Sequence, residues 1–163
     1  MGRGDPVMSI GFTGTKVAGS FSVLGEQNKG KGPLDPQEEY LFELVEAKDQ
    51  QMKAWQSAED KAAGKPAPKK VHAGTTWREV KTGILVFQKF NIETLSWGKG
   101  PTDSKRSKVI KFMDDIGILC PENKIPVWDN VFIPTMKIRA RVVPATKPDE
   151  YFFKEGSFRK YQA

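Results

Sequence analysis

At 163 residues the chain is long enough for one domain with a real core and cramped for two independent ones. One cysteine and one histidine rule out an intramolecular disulfide, a cysteine metal cluster, a zinc finger, catalysis by a histidine pair, and the His/Cys zinc site of the deaminases. A net charge of +6, from 26 basic and 20 acidic residues, favours negatively charged partners, and the 15 Gly and 11 Pro point to β structure with many turns.

The first segment, 1–37, is rich in Gly, Ser, Thr and Lys and reads as an arm or edge segment, with short strand candidates at Ile10–Phe12 and Ser20–Leu24. Arg3-Gly4-Asp5 matches an integrin tripeptide, and Met1-Gly2 begins like a myristoylation signal but carries Pro6 where Ser or Thr is needed. Gly25 to Gly32 has the spacing of a phosphate-binding loop. Its last position lacks the Ser or Thr that would hold magnesium, and Pro33 follows where a helix should start, so a basic turn is expected instead.

A single domain is expected over 38–163. Glu39 to Ala47 reads as a strand with Tyr40, Phe42 and Leu44 on one side, and Glu38, Glu39, Glu43 and Glu46 supply carboxylates for basic neighbours. From 49 to 75 the composition changes: 51–63 has helical propensity and Gly64 to Lys70 is basic and broken by proline. The whole reads as a long insertion between strands, basic enough to close over a ligand.

Trp77 to Thr94 carries strands divided near Thr82-Gly83. Ile84, Val86, Phe90 and Ile92 share one face, while Phe87 and Lys89 share the other, an aromatic and a cation on which a base can stack while its phosphate is held. After the loop Ser96-Trp97-Gly98-Lys99-Gly100, Thr102 or Asp103 is the expected cap of a helix over about 103–116, with Val109, Phe112, Met113 and Ile116 as its buried stripe and Gly117 as its stop. Between Trp77 and Lys111 eight Lys or Arg stand against three acids, so much of the positive excess sits mid-chain.

Cys120 to Pro134 is turn-rich and holds Trp128 and Phe132. Met136 to Val143 then alternates with the period of a strand: Met136, Ile138, Ala140 and Val142 face one way, and Lys137, Arg139 and Arg141 the other. Three cations in a row repel, so they are either neutralised by Glu43 and Glu46 across the sheet or offered to an anion. The last segment interleaves Tyr151, Phe152, Phe153, Phe158 and Tyr161 with Lys154, Arg159 and Lys160, the composition of a stacking platform or of an amphipathic final strand.

The order strand, long loop, strand, helix ending in Phe112-Met113-Asp114-Asp115-Ile116-Gly117-Ile118, then Asn130-Val131-Phe132 leading into Arg139-Ala140-Arg141-Val142, resembles a family of phage-borne proteins over roughly 38–143. That family is regarded as single-stranded-DNA-binding-like, with an OB-type barrel, and is associated with recombination and replication. The sequence has no apolar run of signal-peptide length at its start and none of about 18 residues anywhere, so an intracellular, reducing location is expected, the cytoplasm, which is the host-cell interior if the chain is phage-encoded. The last segment, with Phe158-Arg159-Lys160-Tyr161, is basic where many bacterial single-strand binders carry an acidic tail that recruits partners, so a protein-recruiting role is not expected.

The expected fold is therefore mainly β, an OB-like antiparallel barrel or curved sheet with one helix; a jelly-roll or β-sandwich is the alternative. The expected function is non-enzymatic binding of single-stranded DNA or RNA with little sequence preference, as a monomer or homo-oligomer, with no cofactor and no metal. Lys137, Arg139, Arg141, Lys89 and Lys99 would contact phosphates, and Phe87, Trp97 and Phe153 would stack on bases. The rival readings are a structural or assembly protein of a virus or phage particle, and a carbohydrate-binding sandwich using Trp55, Trp77, Trp97 and Trp128. Asp114-Asp115 is a carboxylate pair, but adjacent helix residues face different directions, which argues against an active site.

Overall fold

The computed structural model describes residues 24–53, 56–66 and 69–162. The Arg3-Gly4-Asp5 and Met1-Gly2 motifs, the strand candidate Ile10–Phe12, most of Ser20–Leu24, and Trp55 lie outside the described residues. The chain is mainly β. A five-stranded antiparallel sheet has the order β3-β2-β1-β4-β7, from β1 (Tyr40–Lys53), β2 (Lys69–Glu79), β3 (Leu85–Asn91), β4 (Lys137–Ala140) and β7 (Arg159–Lys160). A two-stranded sheet pairs β5 (Val142–Pro144) with β6 (Tyr151–Phe153). Only Arg141 separates β4 from β5, so a single run of chain serves both sheets and bends between them. β6 packs beside β3, with no hydrogen-bonded ladder joining them among the described residues.

β1 is longer than its alternation foretells because of a bulge. The β1–β2 register shifts between Leu44 and Glu46, leaving Val45 as the extra residue, and the parity of the strand reverses there. Before the bulge Phe42 and Leu44 are buried; after it Ala47 and Asp49 pair with the buried Thr75 and Ala73. The segment beyond Ala47, expected to be insertion, is thus strand to Lys53, and the chain returns in β2 from Lys69. What remains of the expected insertion contains a five-residue helix, α2 (Ala58–Ala62), capped by Ser57 Oγ accepting from Asp60 N.

α3 (Lys108–Ile116) starts five residues later than the expected cap at Asp103. The Asp103 carboxylate accepts from the amides of Lys99 (2.7 Å) and Lys105 (2.9 Å), so it organises the preceding loop. Ser107 precedes the helix instead, its Oγ accepting from Ser96 N and its own N donating to Ser96 O, which ties the two ends of the 96–107 loop together. The end of α3 falls where glycine placed it: Gly117 adopts φ 80°, and Ile118 N donates to Met113 O at 2.8 Å.

The core lies between the inner face of the large sheet, α3 and the small sheet. Its rings contact one another edge to face or offset: Phe42 with Phe153 and Phe112 with Phe158 at 4.9 Å, Phe90 with Phe112 at 5.0 Å. Each such pair adds about 1 kcal/mol beyond area burial. Fully buried Trp77 satisfies its indole by donating to Thr75 Oγ1 (2.8 Å), whose hydroxyl donates to Gln88 O. One polar clamp holds the β3 edge. Buried Asn28, the last residue of α1 (Leu24–Asn28), accepts from Leu85 N and donates to Leu85 O and Asp149 O, so it acts as one residue of a strand that is not there.

Candidate nucleic-acid interface

The alternation of 136–143 holds along the chain. Ile138, Ala140 and Val142 are buried, Lys137 and Arg141 are exposed and Arg139 is half-buried, all three cations on the outward side. Because directly paired residues of an antiparallel ladder share a face, register fixes what lies beside them. Arg139 is flanked by Leu41 of β1 and Arg159 of β7, and Lys137 by Glu43 of β1, which in turn is paired with Arg78 of β2.

The carboxylates do less than the sequence allowed. Glu43 serves Arg78 at 2.8 Å and Lys137 at 3.7 Å, and Glu39 reaches Arg159 at 3.7 Å. Glu46 bonds Lys48 on its own strand, at 2.7 Å, and takes no part in the basic row. Among the described residues no ion pair reaches Arg139 or Arg141. The Arg139 guanidinium instead lies 5.6 Å from the centre of the Tyr161 ring, a cation-π contact that leaves its donors unspent. Beyond it, Arg141 is held through its backbone: its N donates to Ser157 Oγ and its O accepts from Lys154 N, which brings exposed Lys154 to the same end of the row.

The other expected contacts fall elsewhere. Lys89 is exposed on the outward face, but on β3, three strands from β4, or about 14 Å at the usual spacing. Lys99 sits on the 96–107 loop beyond β3, so neither extends the row of Lys137, Arg139 and Arg141 directly. Phe87 is half-buried on the outward face over Gly74, where an added Cβ would come within 3.3 Å of its ring. It shares a shallow hollow with Leu24, Leu85, Tyr151 and exposed Phe152.

Of the expected stacking rings, Phe153 is buried and Trp97 is half-buried. Phe153 is a core residue, edge-on to Phe42 and Trp77, because the inward parity of β6 carries it under the sheet. Trp97 packs against the core with its Nε1 buried, and its carbonyl accepts from Arg106 Nη1 at 2.6 Å. Trp77 and Trp128 are likewise buried, which removes two of the four rings that a sugar-stacking surface would have used. Arg159, Tyr161 and Arg78 were missed as members of the site. Only the cation-aromatic composition of the last segment hinted at the first two, since their place beside Arg139 depends on a two-residue strand.

Asp114 is spent on a bidentate bond to Arg106, at 2.7 and 2.9 Å, and that bond raises the Arg106 pKa further. Partial covering, then the neighbouring Asp114 charge, push the Asp115 carboxyl up from the ordinary range, with Lys111 opposing. Backbone amides of Lys105 and Lys99 hold Asp103 below it.

Comparison with family models, curated proteins and solved structures finds no match. Among the described residues no helix is long and apolar enough to cross a membrane.

Proposed function

We propose that the chain binds single-stranded nucleic acid, DNA being the expected form, along the outward face of β4 and β7 in a role of the phage replication or recombination type. One observation carries this reading: among the described residues Arg139 and Arg141 have no carboxylate partner, Arg139 lies against the Tyr161 ring with Arg159 across the ladder from it, and the ion pairs of neighbouring Lys137 and Arg159 are long at 3.7 Å. A row of cations about two residues apart along a ribbon tracks a phosphate backbone, and an adjoining ring offers a face to bases of any identity. The strand order supports an OB-like plan for the same reading. β1 pairs with both β2 and β4, α3 falls between β3 and β4, and the β5–β6 hairpin sets β6 beside β3, as in a barrel left open along that seam.

Fluorescence anisotropy of a short labelled oligonucleotide tests the proposal. The wild-type chain should bind at low salt, and Arg139→Gln with Arg141→Gln should weaken binding about tenfold or more, whatever the sequence of the oligonucleotide. Absence of wild-type binding at low salt would end this reading. A second reading, a particle-assembly component, draws on Leu119, Ile125, Val127 and Ile133, all exposed on the connection between α3 and β4, with Leu119 93% accessible. Light scattering that finds ordered oligomers without nucleic acid would favour it.

A further inference from the structure

Where β3 and β6 fail to pair, the seam opens into a cavity of about 250 Å³ between β3, α3 and the turn joining β6 to β7. Sites for whole small molecules run to roughly 300–1,000 Å³, so this one suits a single planar heterocycle. Its apolar lining is four phenylalanine rings, Phe90, Phe112, Phe153 and Phe158, and its mouth carries Lys108 and Lys111 against Asp115 and Glu155. Lys108 and Lys111 are three apart on α3 and so project from the same side, at the positive end of the helix, where no acidic residue occupies the first turn. Gln88, also in the wall, commits its Nε2 to Lys89 O at 2.8 Å and so keeps Oε1 as an acceptor. The cavity also adjoins the basic row. The turn that contributes Glu155 is bonded on either side of Glu155 to Arg141, through Lys154 N and Ser157 Oγ.

We propose that this cavity takes one nucleotide unit, with its base over half-buried Phe158 at the edge of the phenylalanine cluster, its phosphate at Lys108 and Lys111, and a preference for bases that carry an exocyclic amino group. Such a base supplies the donor that Gln88 Oε1 and the mouth carboxylates can accept, whereas thymine and uracil present a carbonyl there. The inference rests on the strand-binding reading and goes one step into it. Both a free mononucleotide and a nucleotide of the bound strand have this chemistry.

The test uses the whole chain with three probes: AMP alone, oligo(dC) and oligo(dT). Oligo(dC) should bind severalfold more tightly than oligo(dT), and Gln88→Leu should abolish that difference. Photocross-linking with a halogenated cytosine should label Phe158, and Lys108→Glu with Lys111→Glu should remove the label. Saturation-transfer signals from AMP without any oligonucleotide cross-link would assign the cavity to free nucleotide. Equal affinity for the two oligonucleotides, with cross-links only at Phe87 or Tyr161 and no AMP signal, would overturn the cavity assignment and leave the basic row standing. AMP binding by a chain that ignores oligonucleotides would do the reverse.

Discussion

Replacing Asn28 with alanine removes the clamp on the edge of β3, and the size of the loss follows from its bonds. The side chain is 1% exposed and makes three: it accepts from Leu85 N at 2.6 Å and donates to Leu85 O and Asp149 O at 2.9 Å each. An intramolecular hydrogen bond contributes about 1 kcal/mol net, and a donor or acceptor left unmet costs more where water cannot reach it. Leu85 is half-buried, so solvent recovers part of the loss, and the sum is about 2–3 kcal/mol. With a urea m-value of about 2 kcal/mol/M, the unfolding midpoint should fall by about 1–1.5 M with the slope unchanged. Asn28→Asp separates geometry from chemistry, since a carboxylate can accept from Leu85 N but cannot donate to either carbonyl, so it should rescue little. A midpoint within about 0.2 M of wild type for Asn28→Ala would refute the role given to this residue.

Glu43→Gln should tighten oligonucleotide binding about threefold at low salt, because it releases Arg78 and Lys137 toward phosphate; unchanged or weaker binding in the anisotropy assay would contradict the placement of the row. Acid should loosen the 96–107 loop through Asp103. Its folded pKa lies below the ordinary value of 3.8, so the stability it supplies is complete above that value and drains away as pH falls through the lower folded one. Amide exchange at Lys99 and Lys105 should therefore lose protection in acid, and Asp103→Asn should erase that pH dependence. Gly117→Ala should cost about 1–2 kcal/mol in thermal or urea unfolding, since φ 80° is left-handed and a Cβ there would only touch the flexible Lys160 chain; a neutral result would show that the helix end does not need that conformation.

Period-two and period-3.6 patterns made much of this fold legible. Ile84, Val86, Phe90 and Ile92 are buried together, Val109, Phe112, Met113 and Ile116 form the inner stripe of α3, and Gly117 ends the helix. The reading failed where a single local event reversed the pattern or a competing bond took a residue away. The bulge at Val45 flips the parity of β1, so nothing in the sequence beyond Ala47 announces more strand. Asp103 has the chemistry of a cap, but two loop amides claim it first. The basic face of β4 was visible as alternation. Its company was not, because the pairing of Arg139 with Arg159, and the contact with Tyr161, come from a short strand closed by distant chain. Phe153 shows the limit of composition: cations surround it in sequence, whereas in space it meets Phe42, Trp77 and Phe158.

The salt dependence of oligonucleotide binding tests the central claim most directly. If Lys137, Arg139, Arg141 and Arg159 each neutralise one phosphate, log K should fall with log salt at a slope of about −2.8, so a fourfold rise in salt should weaken binding about fiftyfold. Arg139→Gln with Arg141→Gln should halve the slope to about −1.4. A wild-type slope near zero, or a slope that the double variant leaves unchanged, would mean that this row of cations does not carry the strand.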